Sequence, residues 1–311
     1  MVNWNGGELL RRSVESVIAN PPSVNYEVVV IDNASTDDSI HSLRASQLAH
    51  KLSGSGGLRI IENQENRGFG QANNQAFAVT AAPLLLLLNP DTEVTEGSID
   101  RLIATVESAP RVGAAGPRLL NADGSLQISA WRNPPAAWEI LLSQLKLYLL
   151  LPQRFRGELL LGGHWDHARE RQVPMLSGAA ILLRRKVIED VGGFDERYHM
   201  YGEDNEWCLR MTHSGWKLLF QPAAVILHHG AQSSLQRWNN LEKLRVQLTA
   251  NYFFQQHTLP RRRLITNQLA SYVTALGQYR WRQIRGVAAP EVKLAKEIHW
   301  GHLKRALRNV D

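Results

Sequence analysis

Apolar runs and polar breaks alternate through the first third of the chain. Leu10, Val14, Val17 and Ile18 recur at the spacing of one helix face, predicting a helix from Glu8 to Ala19 behind the turn Asn5-Gly6-Gly7. Tyr26 to Ile31 reads as a buried strand and Asp32 to Asp38 as the polar loop after it, where Ser35 or Thr36 can cap a short helix starting near Asp37. Leu58 to Ile61 predicts another strand, and Asn66-Arg67-Gly68-Phe69-Gly70 turns into a helix carrying Ala72, Ala76, Phe77 and Val79. Five consecutive leucines follow, Leu84 to Leu88. They are too few to span a bilayer and fit a strand buried on both faces in the middle of a parallel sheet. The alternation predicts an α/β fold over residues 1–91, with a doubly wound, mainly parallel sheet and helices on both faces.

Beyond Asp91 the pattern continues less regularly. A helix is expected from about Gly97 to Ser108, and a hairpin turning at Asn121-Ala122-Asp123-Gly124. Trp138 to Leu151 is strongly apolar, and is either a core helix or a surface that dips into a bilayer interface. Val173 to Leu183 predicts a buried strand, followed by a helix that ends at Gly192-Gly193. The acids Glu203, Asp204 and Glu206 open another helix, which suits its positive end, and Glu206 can pair with Arg210. Ala224 to Leu227 predicts a strand running into His228-His229, a pair that can be packed imidazoles, ligands or an accident of a loop. His164-Trp165-Asp166-His167 is expected to be a solvated loop. From about Leu235 the chain becomes helical and basic, with Arg261-Arg262-Arg263 and the arginines around Trp281.

Composition narrows the class without changing this outline. In 311 residues, 44% hydrophobic and 21% charged content is that of a globular protein, and the net charge of +6 is modest. The single cysteine, Cys208, permits no intrachain disulfide and reads as a small packed side chain. We see no secretory leader, no apolar run long enough for a spanning helix and no internal repeat. A first strand ending at Val2 is short. Neither G-x-G-x-x-G nor a P-loop follows a strand, which argues against a dinucleotide cofactor and a nucleoside-triphosphatase.

The chemistry gathers where the strands end. Asn3-Trp4-Asn5, Asp32-Asn33, Asn66-Arg67-Gly68 and Asn89-Pro90-Asp91 all fall at carboxyl edges, where open α/β sheets bind ligands. Asp91 on a proline-stiffened turn suits Mg²⁺ or Mn²⁺ carrying a phosphate, or else the turn merely ends a strand.

These motifs together resemble the family-2 inverting glycosyltransferases of the GT-A fold. The resemblance rests on Asn3-Trp4-Asn5-Gly6, Val30 to Asp37, Asn66 to Asn74 and Leu88 to Thr92. In the second half it continues through Ser177 to Ala180, Gly193 to Glu196, Tyr201 to Asp204 and His228 to Ser233. The nearest group is the bacterial rhamnosyltransferases that build surface polysaccharides. The resemblance implies a GT-A domain over 1–235, with a nucleotide-binding half (1–91) and an acceptor half (92–235), and a basic helical region over 236–311. It implies that Asn3, Trp4, Asn5, Asp32 and Asn33 hold the base and ribose of a nucleotide-sugar. Arg67 and Gly68 would lie close to its diphosphate, with Asn73 supporting that loop, and Asn89 and Pro90 would belong, with Asp91, to the stand-in for the family's D-x-D metal motif. Asp91 and His228 would ligate Mg²⁺ or Mn²⁺, Asp204 would be the general base with Glu203 beside it, and Ser177, Gly178, Asp195, Glu206 and Trp207 would meet the acceptor.

Two departures stand out: the first strand is shorter than the family's, and the D-x-D metal motif begins with the neutral Asn89. The expected donor is dTDP-rhamnose, with a UDP-sugar as the alternative, and the expected acceptor is a glycan or lipid-linked saccharide. A non-catalytic, nucleotide-sugar-binding subunit is the rival reading. The expected location is cytoplasmic and peripheral, at the anionic inner face of the cell membrane, with no nucleic-acid partner.

Overall fold

A computed structural model of the chain describes residues 1–131, 133–198, 200–230 and 239–308. The chain divides into two compact units, residues 1–131 with 167–233 and residues 132–166 with 234–311. The expected boundary at 235 lies outside the described residues. Segment 132–166, expected inside the acceptor half, groups instead with the C-terminal helices.

The first unit begins with β1 (Val2–Asn3), α1 (Gly7–Ala19), β2 (Val28–Asp32), α2 (Ser39–Ala45), α3 (Gln47–Gly54), β3 (Leu58–Glu62), α4 (Phe69–Ala78) and β4 (Leu84–Leu88). Strands β1, β2 and β3 form a parallel sheet whose register aligns Asn3 with Asp32 and Asp32 with Glu62. The polar loops after these strands therefore leave from one edge. Leu10, Val14 and Val17 of α1 pack with Val28 and Val30 of β2, as the helical spacing requires. The Ser35 or Thr36 cap expected for α2 is absent; Asp37 instead accepts from the Ser39 N–H and hydroxyl.

The chain continues through β5 (Thr92–Val94), α5 (Ser98–Glu107), β6 (Val112–Leu120), β7 (Leu126–Gln127) and β8 (Ala130–Trp131). Helices α6 (Ala137–Gln144) and α7 (Gln153–Leu160) belong to the second unit. The first unit resumes with β9 (Arg171–Val173), β10 (Met175–Leu176), β11 (Ala180–Arg184), α8 (Arg185–Val191), α9 (Glu203–His213) and β12 (Lys217–His228). A seven-stranded sheet runs β4-β11-β6-β12-β5, with β7 on β6 and β9 on β12. The α/β class and its flanking helices are as expected, but the strand directions are mixed. The five-leucine strand β4 pairs antiparallel with β11, Leu88 opposite Ala180, and only β6 and β12 are parallel neighbours in this sheet. Apolar runs report burial and are blind to the direction of a partner.

Other differences have local causes. The run from Val173 to Leu183 is three strands, broken at Pro174, which has no N–H to donate, and at the Ser177-Gly178 turn. The strand expected over Ala224 to Leu227 is the end of a longer one, Lys217–His228, with an irregularity between Gln221 and Val225 beside Pro222. His167 is fully buried against the Phe220 ring, 5.2 Å away, rather than solvated. Among the described residues no group of three or more His, Cys, Asp and Glu side chains is arranged to hold a metal.

The second unit contains α6, α7, α10 (Asn240–Thr258), α11 (Arg261–Ile284) and α12 (Pro290–Arg308). Asn239 caps α10 reciprocally with Glu242, and Tyr252, Leu264 and Ala306 centre its core. The helix expected over Trp138 to Leu151 stops at Gln144. Lys146 takes a left-handed conformation (φ 57°), and Leu147–Leu150 continues as a 3₁₀ turn. Among the described residues no helix is long and apolar enough to cross a membrane.

Trp207, expected at the acceptor, is instead core. It is fully buried against Phe194 (centroids 4.2 Å apart) and Phe77 (5.8 Å), and its Nε1 donates to Gly192 O at 2.9 Å. Trp207→Ala should therefore cost about 3–5 kcal/mol in chemical denaturation, and Trp207→Phe distinctly less. Unchanged stability in Trp207→Ala would return the ring to the surface.

Candidate active site

The rim is built from a buried polar lock outward. Asn3 is wholly buried at the end of β1, and its side-chain nitrogen donates to Asp32 Oδ1 (2.7 Å), Ser39 Oγ (2.8 Å) and Ser35 Oγ (3.0 Å). Asp32 also accepts from the Ser35 hydroxyl (2.6 Å) and N–H (3.0 Å), so both carboxylate oxygens are engaged. Asn3 thus holds Asp32 and the Ser35 loop in place from within the fold. Gly6 is required beside it, since a Cβ there would stand 2.3 Å from Asn3 Oδ1. Asn5, at φ 50°, accepts the Thr36 N–H on its side chain (2.8 Å) and donates its own N–H to Ser35 Oγ (2.9 Å). Trp4 is half-buried in this loop.

The Arg67-Gly68 loop is tied to the same edge by Asn33, whose Nδ2 donates to Gly68 O (3.1 Å) while its Oδ1 accepts from Asn63 Nδ2 (3.0 Å) and the Arg67 N–H (3.4 Å). Gly68 takes φ 82°, open to glycine and strained for other residues, and Arg67 is exposed. Asn73 donates to Phe69 O (2.9 Å) within α4 and so supports the helix behind the loop.

The end of β4 meets the start of α9 through two hydrogen bonds. Asn89 N–H donates to Ala179 O (2.9 Å), and Gly178 N–H, one residue earlier, donates to Asp204 Oδ2 (3.2 Å). Phe69 closes the corner: a Cβ on Gly178 would meet Asp204 Cβ at 3.3 Å and Phe69 Cε1 at 3.7 Å. The Arg67, Asn89-Asp91 and Asp204 segments therefore share one neighbourhood. Ser177 sits in the turn beneath, donating its N–H to Ser129 O (2.9 Å).

Asp91 and His228 also meet. The pairing of His228 with Thr92 brings His228 Nε2 to 3.2 Å from Asp91 Oδ1, and His229 N–H donates to Asp91 O (2.8 Å). The other ring nitrogen, Nδ1, lies 2.5 Å from Gln127 Oε1, and Gln127 Nε2 donates to Asn121 Oδ1 (2.9 Å). With that amide so oriented, Nδ1 donates to Gln127 and Nε2 is the ring nitrogen that faces Asp91. Neighbouring ligands of an octahedral ion with bonds of about 2.1 Å stand about 3 Å apart, the separation found between Asp91 and His228. The Asn89 side chain, its Nδ2 3.5 Å from His228 Nε2, has a buried Oδ1 with no partner among the described residues. One carboxylate and one imidazole at this separation fit a small divalent cation that takes its other ligands from elsewhere.

Not every expected residue joins this cleft. Asp195 is engaged by Arg197 (2.6 and 3.0 Å), whose guanidinium holds its carboxyl below the usual range. Glu206 pairs with Arg210 (2.6 Å), which also donates to Gly193 O (2.7 Å), so this acid braces the Gly192-Gly193 turn. Sequence reasoning passed over Gln127, Asn121 and Asn205. Asn205 donates to Asp204 Oδ1 from its backbone (2.8 Å) and side chain (3.1 Å) while accepting from Trp131 Nε1 (2.8 Å). Its place beside the acidic pair was a visible signal; nothing local marks Gln127.

Glu203 and Asp204 divide a difficult environment. Glu203 is buried, its Oε2 has no partner among the described residues, and burial together with the Asp204 charge pushes its carboxyl up to about 8. Burial raises Asp204 as well, opposed by the N–H donors of Gly178 and Asn205. Asp204 keeps partial exposure and a fixed orientation, whereas Glu203 holds its proton in the protein interior.

A parallel sheet with polar loops at its strand ends, together with a mixed sheet that carries the Asp91 turn, is the architecture of the GT-A fold, and the comparisons agree. The mannosyltransferase PcManGT from Pyrobaculum calidifontis, solved with GDP-Man and Mn²⁺, has a TM-score of 0.56 at 15% identity, covering 100% of this chain and 86% of that one. The family model for glycosyl transferase family 2 matches residues 1–192, and the chain belongs to that family. It is 30% identical, over 75% of its length and 76% of the relative's, to the N-acetylglucosaminyl-diphospho-decaprenol L-rhamnosyltransferase of Mycobacterium tuberculosis. An O-antigen biosynthesis protein, RfbC, of Myxococcus xanthus is 27% identical over 73% of this chain and 16% of its own.

The raised carboxyl of Glu203 sets a sign for stability. From the ordinary 4.5 up to about 8 the unfolded chain ionises this group while the folded chain keeps its proton, so stability falls as pH rises through that window. Glu203→Gln should flatten the fall in thermal midpoint across it. A parallel pH profile in the variant would mean that Glu203 ionises freely in the fold.

Proposed function

We propose that this family-2 glycosyltransferase transfers L-rhamnose from a nucleotide-sugar, with dTDP-rhamnose the donor of choice, to a hydroxyl of a lipid-linked saccharide, inverting the anomeric centre. The M. tuberculosis relative supports the sugar and the acceptor class. The observation that carries the mechanism is the pair of hydrogen bonds joining the Asn89-Pro90-Asp91 turn to Asp204 through Gly178 and Ala179.

In this reading the Asp32-Asn33 loop grips base and ribose, with Asn3 and Asn5 holding it in shape. Arg67 offers its guanidinium and Gly68 its close-approaching backbone to the diphosphate. Asp91 and His228 would hold a divalent cation, which when bound would offset charge developing on the leaving diphosphate. Asp204 takes the proton from the acceptor hydroxyl as it attacks. Burial makes this carboxylate a stronger base, and its two flanking N–H donors keep it aimed. Attack from the Asp204 side, opposite the diphosphate, inverts the centre in one step with no covalent glycosyl-enzyme. Ser177 and Gly178 line the acceptor approach. The protein works at the cytoplasmic face of the membrane, where lipid-linked saccharides are presented.

Asp204→Asn keeps the shape and should lower kcat by about 10²–10⁴ while leaving donor affinity within severalfold. Turnover near wild type would remove Asp204 as base. A thermal-shift panel of nucleotide-sugars with and without Mn²⁺ should show stabilisation greatest for dTDP-rhamnose with metal. Greater stabilisation by a UDP-sugar would reassign the donor. Asp91→Ala should abolish the metal-dependent part of that shift, and its retention would make Asn89-Pro90-Asp91 a structural turn only.

A further inference from the structure

The charge of this chain is unevenly placed. Residues 132–166 and 234–311 hold 18 Lys and Arg against 7 Asp and Glu, leaving 17 against 22 for the rest of the chain's 35 and 29. The positive excess therefore lies entirely in the helical unit. No acid occurs between residues 140 and 157 or between 243 and 290.

Within that unit α6 and α11 run side by side in the same direction. Asn267 Nδ2 donates to Pro135 O just before α6 (2.7 Å), and Gln278 Nε2 donates to Gln144 O at its last turn (3.2 Å). The segments leaving both helices consequently emerge at one end. From α6 come Leu145, Leu147, Leu149 and Leu150, the last 82% exposed; at the end of α11 come Trp281 and Ile284, the latter 86% exposed, with Val287 beyond. The leucine turn is held outward by its own chain, since Arg156 donates to Leu149 O and Leu151 O (both 2.9 Å). Lys146, Arg280 and Arg285 are exposed among these apolar side chains, the Arg285 guanidinium lying 4.2 Å over the Trp281 ring.

We propose that this end of the helical unit is a docking surface for an anionic phospholipid bilayer. It deepens the reading of a lipid-linked acceptor and rests on that reading for its purpose, though not for its physics. The leucines, Trp281 and Ile284 enter the boundary between headgroups and acyl chains. The flanking Lys and Arg stems lie along apolar surface while their charges meet lipid phosphates. Nucleic acid would satisfy the arginines and leave Ile284 and Leu150 in water. A second copy docked through the same end would oppose like charges.

The test is sedimentation of the full chain with phosphatidylcholine vesicles, with and without phosphatidylglycerol, at low and high salt. Wild type should pellet with the anionic vesicles and bind the neutral ones at least about tenfold more weakly, with high salt removing most of the difference. Leu150→Glu combined with Ile284→Glu should lower anionic-vesicle binding by about tenfold or more, leaving helicity and thermal midpoint unchanged because both side chains are solvent-exposed. Arg280→Glu with Arg285→Glu should lose the phosphatidylglycerol preference. Equal binding by wild type and the leucine–isoleucine variant, indifference to lipid charge, absence of binding, or a dimer in light scattering that the variant abolishes would each overturn the proposal. Transfer to a detergent-dispersed acceptor, assayed in parallel, separates the two readings. Lost docking with intact transfer removes only the surface, and docking without transfer removes only the proposed reaction.

Discussion

The antiparallel pairing of β4 with β11 is the constraint on which this site depends. Its ladder extends one step past Leu88 into the Asn89–Ala179 hydrogen bond, and the next residue of that turn, Gly178, donates to Asp204. Strand pairing thereby sets the position of a turn bearing one carboxylate against a helix bearing another. A slip of one residue would only exchange leucine for leucine along β4, yet it would move the Asp91 turn away from Gly178, so the register rests on the hydrogen bonds just past the strand.

A second constraint is the group of buried polar side chains behind the nucleotide-type loops. Burying Asn3, Asp32 and Ser39 is costly unless their hydrogen-bonding groups find partners. One amide nitrogen shared between a carboxylate and two hydroxyls answers part of that cost and holds the loops of β1 and β2 together, while Asn3 Oδ1 has no partner among the described residues. The acidic pair on α9 shows the opposite balance. Glu203 is left with an unsatisfied oxygen and a raised carboxyl, which opposes stability above mildly acidic pH. Asp204 shares the burial but receives donors from two sides, so orientation and raised basicity come from the same packing.

Much of this was legible from residue order. The helical stripe of α1, the five-leucine strand, the acid-rich start of α9 and the hairpin at Asn121 to Gly124 all follow from periodicity and turn chemistry. The motifs around Asp32, Arg67, Asp91 and Asp204 pointed to the family that the profile match assigns. Three of the residues expected at the acceptor have other partners in the fold. Trp207, Asp195 and Glu206 stand beside motif residues in the chain, and proximity in sequence suggested a shared role. In the fold the indole turns into the aromatic core, and each acid is taken up by a nearby arginine.

Amino-acid order by itself determined the alternation of elements, the edge at which the polar loops gather, and the basic character of the C-terminal region, because these depend on local periodicity and composition. Only the tertiary structure decided the direction of β4's partner, the meeting of Asp91 with His228, the orienting of that imidazole by Gln127, and the grouping of residues 132–166 with the C-terminal helices. Each of these joins residues far apart in sequence, and such pairings are selected by packing and hydrogen-bond geometry that no single stretch of chain contains.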